Sequence, residues 1–410
     1  MYAWFSKMRR VLTLAFALSF SLVLSAFAQT TDRQTPADSL AFPTAKALAD
    51  SVKSLIPKQN RGLYKKLVAY LSETNKEKNR HKFDFSIIAG PHYSNDTKFA
   101  LGIIAAGLYY TQPNDTLLPP SNVSLYADVS TTGFYLVGIK GAHIAPGQRH
   151  RMVYDASFTF FPTKFWGTGY HMGNNAGNEA TMNRSEVEFK GNYLFRLAPN
   201  VYLGPALWAN WMRAAKQSHP ELLAGQPSQA ADVGLGVAFE LDTRDVMTAP
   251  HRGLYIAFTQ MARQQLMNSR RPFFTTQFTL NAYRPLWRGA TLAAQTLGVL
   301  QWGSVTWNSM ALTGDSHSMR GYYLGRYRDI NKLEAQAELR QHIYRRNGMV
   351  AWIGGATVFP RFSAMRINHI LPSWGVGYRW EFKKNINLRL DYGWGKSGQS
   401  GFIFNVNDAF

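Results

Sequence analysis

Residues 333–340, LEAQAELR, alternate without a break. Leu333, Ala335, Ala337 and Leu339 fall on one side of a period of two, and Glu334, Gln336, Glu338 and Arg340 on the other. A helix would mix the two sets around its circumference, whereas a β-strand separates them into an apolar face and an ionic face. The same pattern recurs along the chain. Val187, Phe189 and Tyr193 oppose Glu186, Glu188 and Lys190; Val233, Leu235, Val237 and Phe239 oppose Asp232 and Glu240; Trp374, Val376, Tyr378 and Trp380 oppose Arg379 and Glu381; Leu388, Leu390 and Tyr392 oppose Asn387, Arg389 and Asp391.

Two architectures use such strands. A soluble sandwich pairs the apolar faces inside. A membrane barrel inverts them, with apolar side chains toward lipid and the ionic ladder lining the lumen. Three features favour the barrel. Aromatics gather near strand ends, as at Tyr109–Tyr110, Phe160–Phe161, Trp208, Trp211, Phe273–Phe274, Trp302 and Trp380, which fits interfacial girdles. Short turns such as 284–290 and 345–348 alternate with long polar loops such as 162–183 and 304–329. After residue 81 no apolar run reaches the roughly 18 residues of a membrane helix. The alternation predicts strands near 82–90, 98–110, 122–130, 133–142, 151–161, 184–195, 200–212, 231–242, 252–262, 273–284, 290–302, 331–344, 349–359, 373–383, 386–395 and 401–408. The predicted fold is all-β, an antiparallel transmembrane barrel of about sixteen strands, an even number as single-chain barrels require.

Residues 1–28 read as a secretory signal peptide: Lys7, Arg9 and Arg10 precede the apolar run VLTLAFALSFSLVLS and the small-x-small end Ala26-Phe27-Ala28. Residues 29–80 carry apolar residues at helical spacing, including Leu48, Val52, Leu55 and Leu63, Leu67, Leu71, and read as a short flexible or helical periplasmic segment ahead of a barrel at 81–410. The chain has no Cys, so burial or the membrane must stabilise an exported body without disulfides. Its formal charge of +20 falls by three, to +17, without the signal peptide. In that compartment the nearer partner is the outer-membrane lipid, and nucleic acid is not expected.

No active site assembles. Gly314-Asp315-Ser316-His317-Ser318 lacks the closing Gly of G-x-S-x-G and sits in a loop. Asp242 and Asp245 flank Arg244 in a turn, where ion pairing explains them. The ten His show no ligand spacing, so no metal, cofactor or enzymatic activity is expected.

The loop between the eleventh and twelfth predicted strands contains Met319-Arg320-Gly321-Tyr322. This motif, LDTRD at 241–245 followed by Gly253, and FPTKFWGTG at 161–169 resemble the BamA/TamA-type surface-antigen barrel family over about 330 residues. The closing Phe402, Phe404 and Phe410 resemble the signal by which outer-membrane barrels reach their assembly machinery. The resemblance implies a sixth extracellular loop folded back into the lumen, with Arg320 meeting Glu338 and the ring of Trp352. It implies a turn motif of Asp242, Arg244, Asp245 and Gly253 at the periplasmic end. It also implies insertion or translocation of proteins at the bacterial outer membrane, through a weak seam between first and last strands. Two departures stand out. Gly354 occupies the place of the family's Asp, removing one acceptor from the loop contact, and residues 29–80 are too short and too helical for a POTRA domain. Unfolded outer-membrane or secreted proteins would then be received by the barrel itself or brought by a separate periplasmic partner. The competing expectations are a passive solute pore and a structural barrel.

Overall fold

The computed structural model describes residues 83–410, apart from 95, 116–117, 268–269 and 384–385. The predicted signal peptide and the 29–80 segment lie outside the described residues.

Sixteen antiparallel strands close into a barrel in chain order. They are β1 (Asp84–Ser94), β2 (Lys98–Tyr109), β3 (Ser121–Ser130), β4 (Tyr135–Ile144), β5 (His150–Phe165), β6 (Ala180–Ala198), β7 (Val201–Ala215) and β8 (Gln229–Asp242), followed by β9 (Gly253–Gln265), β10 (Pro272–Pro285), β11 (Ala290–Gly303), β12 (Asn331–Tyr344), β13 (Asn347–Phe359), β14 (Leu371–Lys383), β15 (Ile386–Gly395) and β16 (Ser400–Val406). Closure satisfies backbone groups that have no water to bond in a bilayer. The faces are those of a membrane barrel: Leu235 and Ile353 are each 68% exposed, whereas Glu338 and Arg389 are fully buried. Alternation therefore runs apolar-out and ionic-in, which the soluble sandwich cannot accommodate.

The strands fall close to their predicted ranges, with two informative differences. β5 extends to Phe165 and β6 begins at Ala180, so this hairpin rises beyond the predicted 161 and 184. Its extra residues are held by loop contacts: Phe165 and Met182 pack with Trp307 and Leu223, which belong to other loops. At the other extreme, β16 ends at Val406 and not at 408. Asn407 takes a left-handed φ of 65°, and the chain turns into the lumen, where Asp408 meets two arginines. Phe402 stays on the outer face at 40% exposure, and Phe404 lies opposite Leu390, but Phe410 leaves this alternation and approaches Tyr283 and Arg340 inside.

The β8–β9 turn shows how local chemistry fixes a connection. Arg244 grips Asp242 with two parallel hydrogen bonds, Nε to Oδ1 at 2.9 Å and Nη2 to Oδ2 at 2.7 Å. Asp245 Oδ1 accepts from the backbone N–H of Val246, His251 and Arg252. Partial burial works against the Asp245 charge, but these three donors outweigh it and hold the carboxyl below its usual range. Gly253 has φ 107°, and a Cβ there would stand 2.3 Å from Thr243 O, so no other residue fits.

Candidate functional site: a buried ionic cluster where loop six meets the wall

Loop six runs from 304 to 330 between β11 and β12. Its two limbs pair as a short ribbon, Ala311–Leu312 against Arg328–Asp329, and the segment between them enters the lumen. Arg320 is fully buried there. Its Nη2 lies 2.7 Å from Glu338 Oε2 on β12, and its Nη1 donates to Asp391 Oδ2 on β15 at 2.8 Å. The guanidinium stacks over the Trp352 ring on β13, 3.6 Å from its centroid. One side chain of the loop thus ties three wall strands together by charge and stacking.

The backbone crossing explains the residue after it. Gly321 has φ 104°, and a Cβ there would stand 2.8 Å from the Gly393 carbonyl; a Cβ on Gly393 would meet Arg320 O at 2.5 Å. Two glycines let the loop backbone lie against β15. Ser373 Oγ on β14 donates to Arg320 O at 3.0 Å. Tyr322 finishes the anchor: its hydroxyl donates to Pro372 O and accepts from the Lys396 N–H, and its ring packs with Met319, Tyr170, Tyr327 and Leu371.

Three further arginines surround this contact. Arg340 Nε donates to Glu338 Oε1 at 2.8 Å, Arg379 Nη1 donates to Asp391 Oδ1 at 2.5 Å, and Asp408 joins both, 3.0 Å from Arg379 Nε and 3.3 Å from Arg340 Nη1. Arg340 Nη2 also donates to Phe410 O, and His317 Nδ1 of loop six donates to Ala409 O. The segment after β16 and loop six therefore meet at the same cluster. The acceptor absent at Gly354 is made up by Asp391, with Gln336 Oε1 a weaker neighbour 3.4 Å from Arg320 Nη2.

Arg389 differs from its neighbours. It is fully buried, none of its guanidinium nitrogens makes a hydrogen bond, and its closest acid is Asp391, 3.6 Å away. Burying a cation without hydrogen bonds costs more than so distant a pairing returns. Arg389→Met should therefore stabilise the barrel by about 1–4 kcal/mol, because Asp391 keeps Arg320 and Arg379. An increased urea midpoint for loss of the compact gel mobility of the folded barrel would show it; a lowered midpoint would mean that Arg389 stabilises the cluster.

Elsewhere the loop has a second anchor that sequence reading missed. Asp232 on β8 binds Arg263 Nε at 2.8 Å and accepts from Ser309 Oγ and Asn308 Nδ2 of loop six. At the outer end, Asp96 in the β1–β2 hairpin accepts from Leu324 N–H at 3.0 Å, and burial pushes its carboxyl up to about 7. The Gly314–Ser318 run is a tight turn: Asp315 Oδ1 accepts from His317 and Ser318 N–H, and Ser318 Oγ donates to Glu334. No nucleophile–base pair forms there. Glu338, Arg340, Arg379, Arg389 and Asp391 all share the lumen-facing phase of their strands, a signal visible in the sequence. Asp408 has no such signal, because it depends on the turn at Asn407.

The seam between β1 and β16 is unlike every other junction. β15 and β16 pair continuously from Leu388 opposite Val406 to Trp394 opposite Ser400. β1 and β16 share a single register pair among the described residues, Tyr93 opposite Phe404, supplemented by a Tyr93–Phe402 ring contact at 5.8 Å. β1 is fully laddered to β2 from Asp84 to Ser94, so the contrast between its two neighbours lies in register pairs: eleven with β2 and one with β16 among the described residues.

Fold and site together define an outer-membrane β-barrel of sixteen strands with an inward-folded sixth loop. No protein-family model and no curated protein matches this sequence. Among solved structures the chain is similar to BamA from Haemophilus ducreyi lacking POTRA domains 1–3, with a TM-score of 0.53 and 12% identity over 93% of this chain and 81% of that one. It is also similar to CdiB from Escherichia coli (TM-score 0.51, 8% identity, 82% and 68% covered) and CdiB from Acinetobacter baumannii (0.50, 11%, 79% and 59%). At such identities the likeness is one of fold.

Proposed function

We propose that this barrel inserts or translocates proteins at the outer membrane, with the β1–β16 seam as the place where a client strand is received. The observation that carries the reading is that, among the described residues, β1 and β16 share a single register pair. An unpaired strand edge is a template for another strand, and β-strand addition supplies main-chain hydrogen bonds to any sequence. A client strand that adds at a seam joined by so short a register would gain main-chain hydrogen bonds where water cannot compete for them. The likeness in fold to BamA and CdiB barrels supports the same direction.

Loop six supplies the rigidity that an opening seam needs. With Arg320 joined to β12 and β15, and Ser373 of β14 joined to the loop backbone, the wall beside the seam is braced from within. At the contact between loop six and the wall, Arg320 and Glu338 are closed to water, so the brace is a packed one. The test is to reconstitute the protein in liposomes and time the folding of an unrelated, urea-unfolded outer-membrane barrel. Folding several-fold faster than in empty liposomes is expected. Equal rates would sink the reading.

A further inference from the structure

We propose that the two adjacent turns at the periplasmic end, residues 286–289 between β10 and β11 and residues 345–346 between β12 and β13, form a docking site for the head group of an anionic phospholipid. The first turn is stitched to the end of β12, just before the second: His342 N–H donates to Gly289 O at 2.7 Å, and Trp287 Nε1 donates to Gln341 Oε1 at 2.8 Å. Four arginines, Arg284, Arg288, Arg345 and Arg346, are exposed across them. No acid occurs in 284–289 or 341–349. Arg284, Arg288 and Arg346 have no side-chain ion pair among the described residues. The acids of the flanking elements are Asp242 and Asp245, already engaged by Arg244 and by turn N–H groups, and Glu381 on β14.

Position makes lipid the fitting occupant. Leu280, Ala282 and Arg284 lie on the outward phase of β10, so Arg284 ends a lipid-facing row. Ile343 and Met349 end the same face on β12 and β13, at 58% and 54% exposure. Trp287 and Tyr344, at 58% and 60%, stand beside them. Aromatic rings of this kind settle at head-group depth, and guanidinium forks match phosphate oxygens two at a time. The patch therefore offers an apolar floor for acyl chains directly below a fixed group of cations, at the depth where phosphates lie. Other turns at the same end carry single exposed arginines, Arg149 between β4 and β5 and Arg252 between β8 and β9, whereas four stand together here.

Each arginine near an anionic surface contributes about a fivefold preference, so the four together should exceed tenfold. The test titrates the protein in detergent with phosphatidylglycerol and with phosphatidylcholine of identical chains, and counts retained lipids by native mass spectrometry. The parent protein should hold phosphatidylglycerol at least about tenfold better. Arg284→Gln/Arg288→Gln/Arg345→Gln/Arg346→Gln should bring the two lipids to near equality. Arg270→Gln/Arg271→Gln, at the opposite end, should leave the preference unchanged. Should the quadruple variant not fold, Arg284→Gln and Arg288→Gln alone should each lower the ratio several-fold. Equal retention of both lipids by the parent protein overturns the proposal and leaves the patch to an acidic protein segment. An equal loss in the Arg270/Arg271 variant overturns it as well, because net charge would then account for the binding.

Discussion

Oxidation of a Tyr93→Cys/Phe404→Cys variant should abolish the acceleration of client folding in liposomes, and reduction should restore it. The two residues stand directly opposite at the seam, the only register pair that β1 and β16 share among the described residues. Opposed residues in an antiparallel pair lie about 4.5–5.5 Å apart at Cα, inside the range of about 4.4–6.8 Å that a disulfide spans. The protein has no native Cys, so one bond forms and no other. A covalent link at this point converts the junction with the shortest register among the described residues into one that cannot part. Any route that takes a client strand through the seam is closed, while routes through the lumen are untouched. A matching control, Leu280→Cys/Thr296→Cys, places the same link within the continuous β10–β11 ladder and should be inert. Undiminished acceleration by the oxidised seam variant would remove the seam from the mechanism.

Arg320→Glu should lower the stability of the barrel by several kcal/mol, roughly the cost of breaking a buried pair. Arg320 is fully buried between Glu338 and Asp391, and both carboxylates lose their shared cation when it goes. Breaking one buried pair costs about 3–5 kcal/mol, and the substituted carboxylate adds repulsion from two acids. With urea slopes of about 1–3 kcal/mol per molar, the unfolding midpoint should fall by more than about 1 M. The segment 313–327 should also become open to protease, since its ends remain paired in the short ribbon while its tip is expelled. Arg320→Lys should fall between the two, because an ammonium keeps the charge but cannot reach two carboxylates and stack on Trp352 with one rigid plane. Gly393→Ala tests the same anchor without touching charge, since its Cβ would meet Arg320 O at 2.5 Å. Unchanged midpoint and protease resistance in Arg320→Glu would show that loop six is held by its other contacts, at Asp232 and Tyr322.

The sequence by itself determined the strands, their number and which side chains face inward. A period of two is a local property, and one residue of slip would put a charge into lipid, so alternation and register are bound together. Arg320, Glu338 and Trp352 are singled out by the resemblance that the Met319–Tyr322 motif carries, and the period of two adds only that Glu338 and Trp352 lie on inward phases. Only the tertiary structure decided who pairs with whom across the lumen. Asp391 lies 71 residues from Arg320 and reaches it because closing the sheet brings β15 opposite the loop. Arg389 carries the same phase and the same charge as Arg379, yet one is hydrogen-bonded and the other is not. Asp408 enters the cluster only because the backbone reverses hand at Asn407. The single pairing at the seam is likewise a product of closure: β1 and β16 are separated by nearly the whole barrel in sequence, and how far they pair depends on the curvature summed over every strand between them.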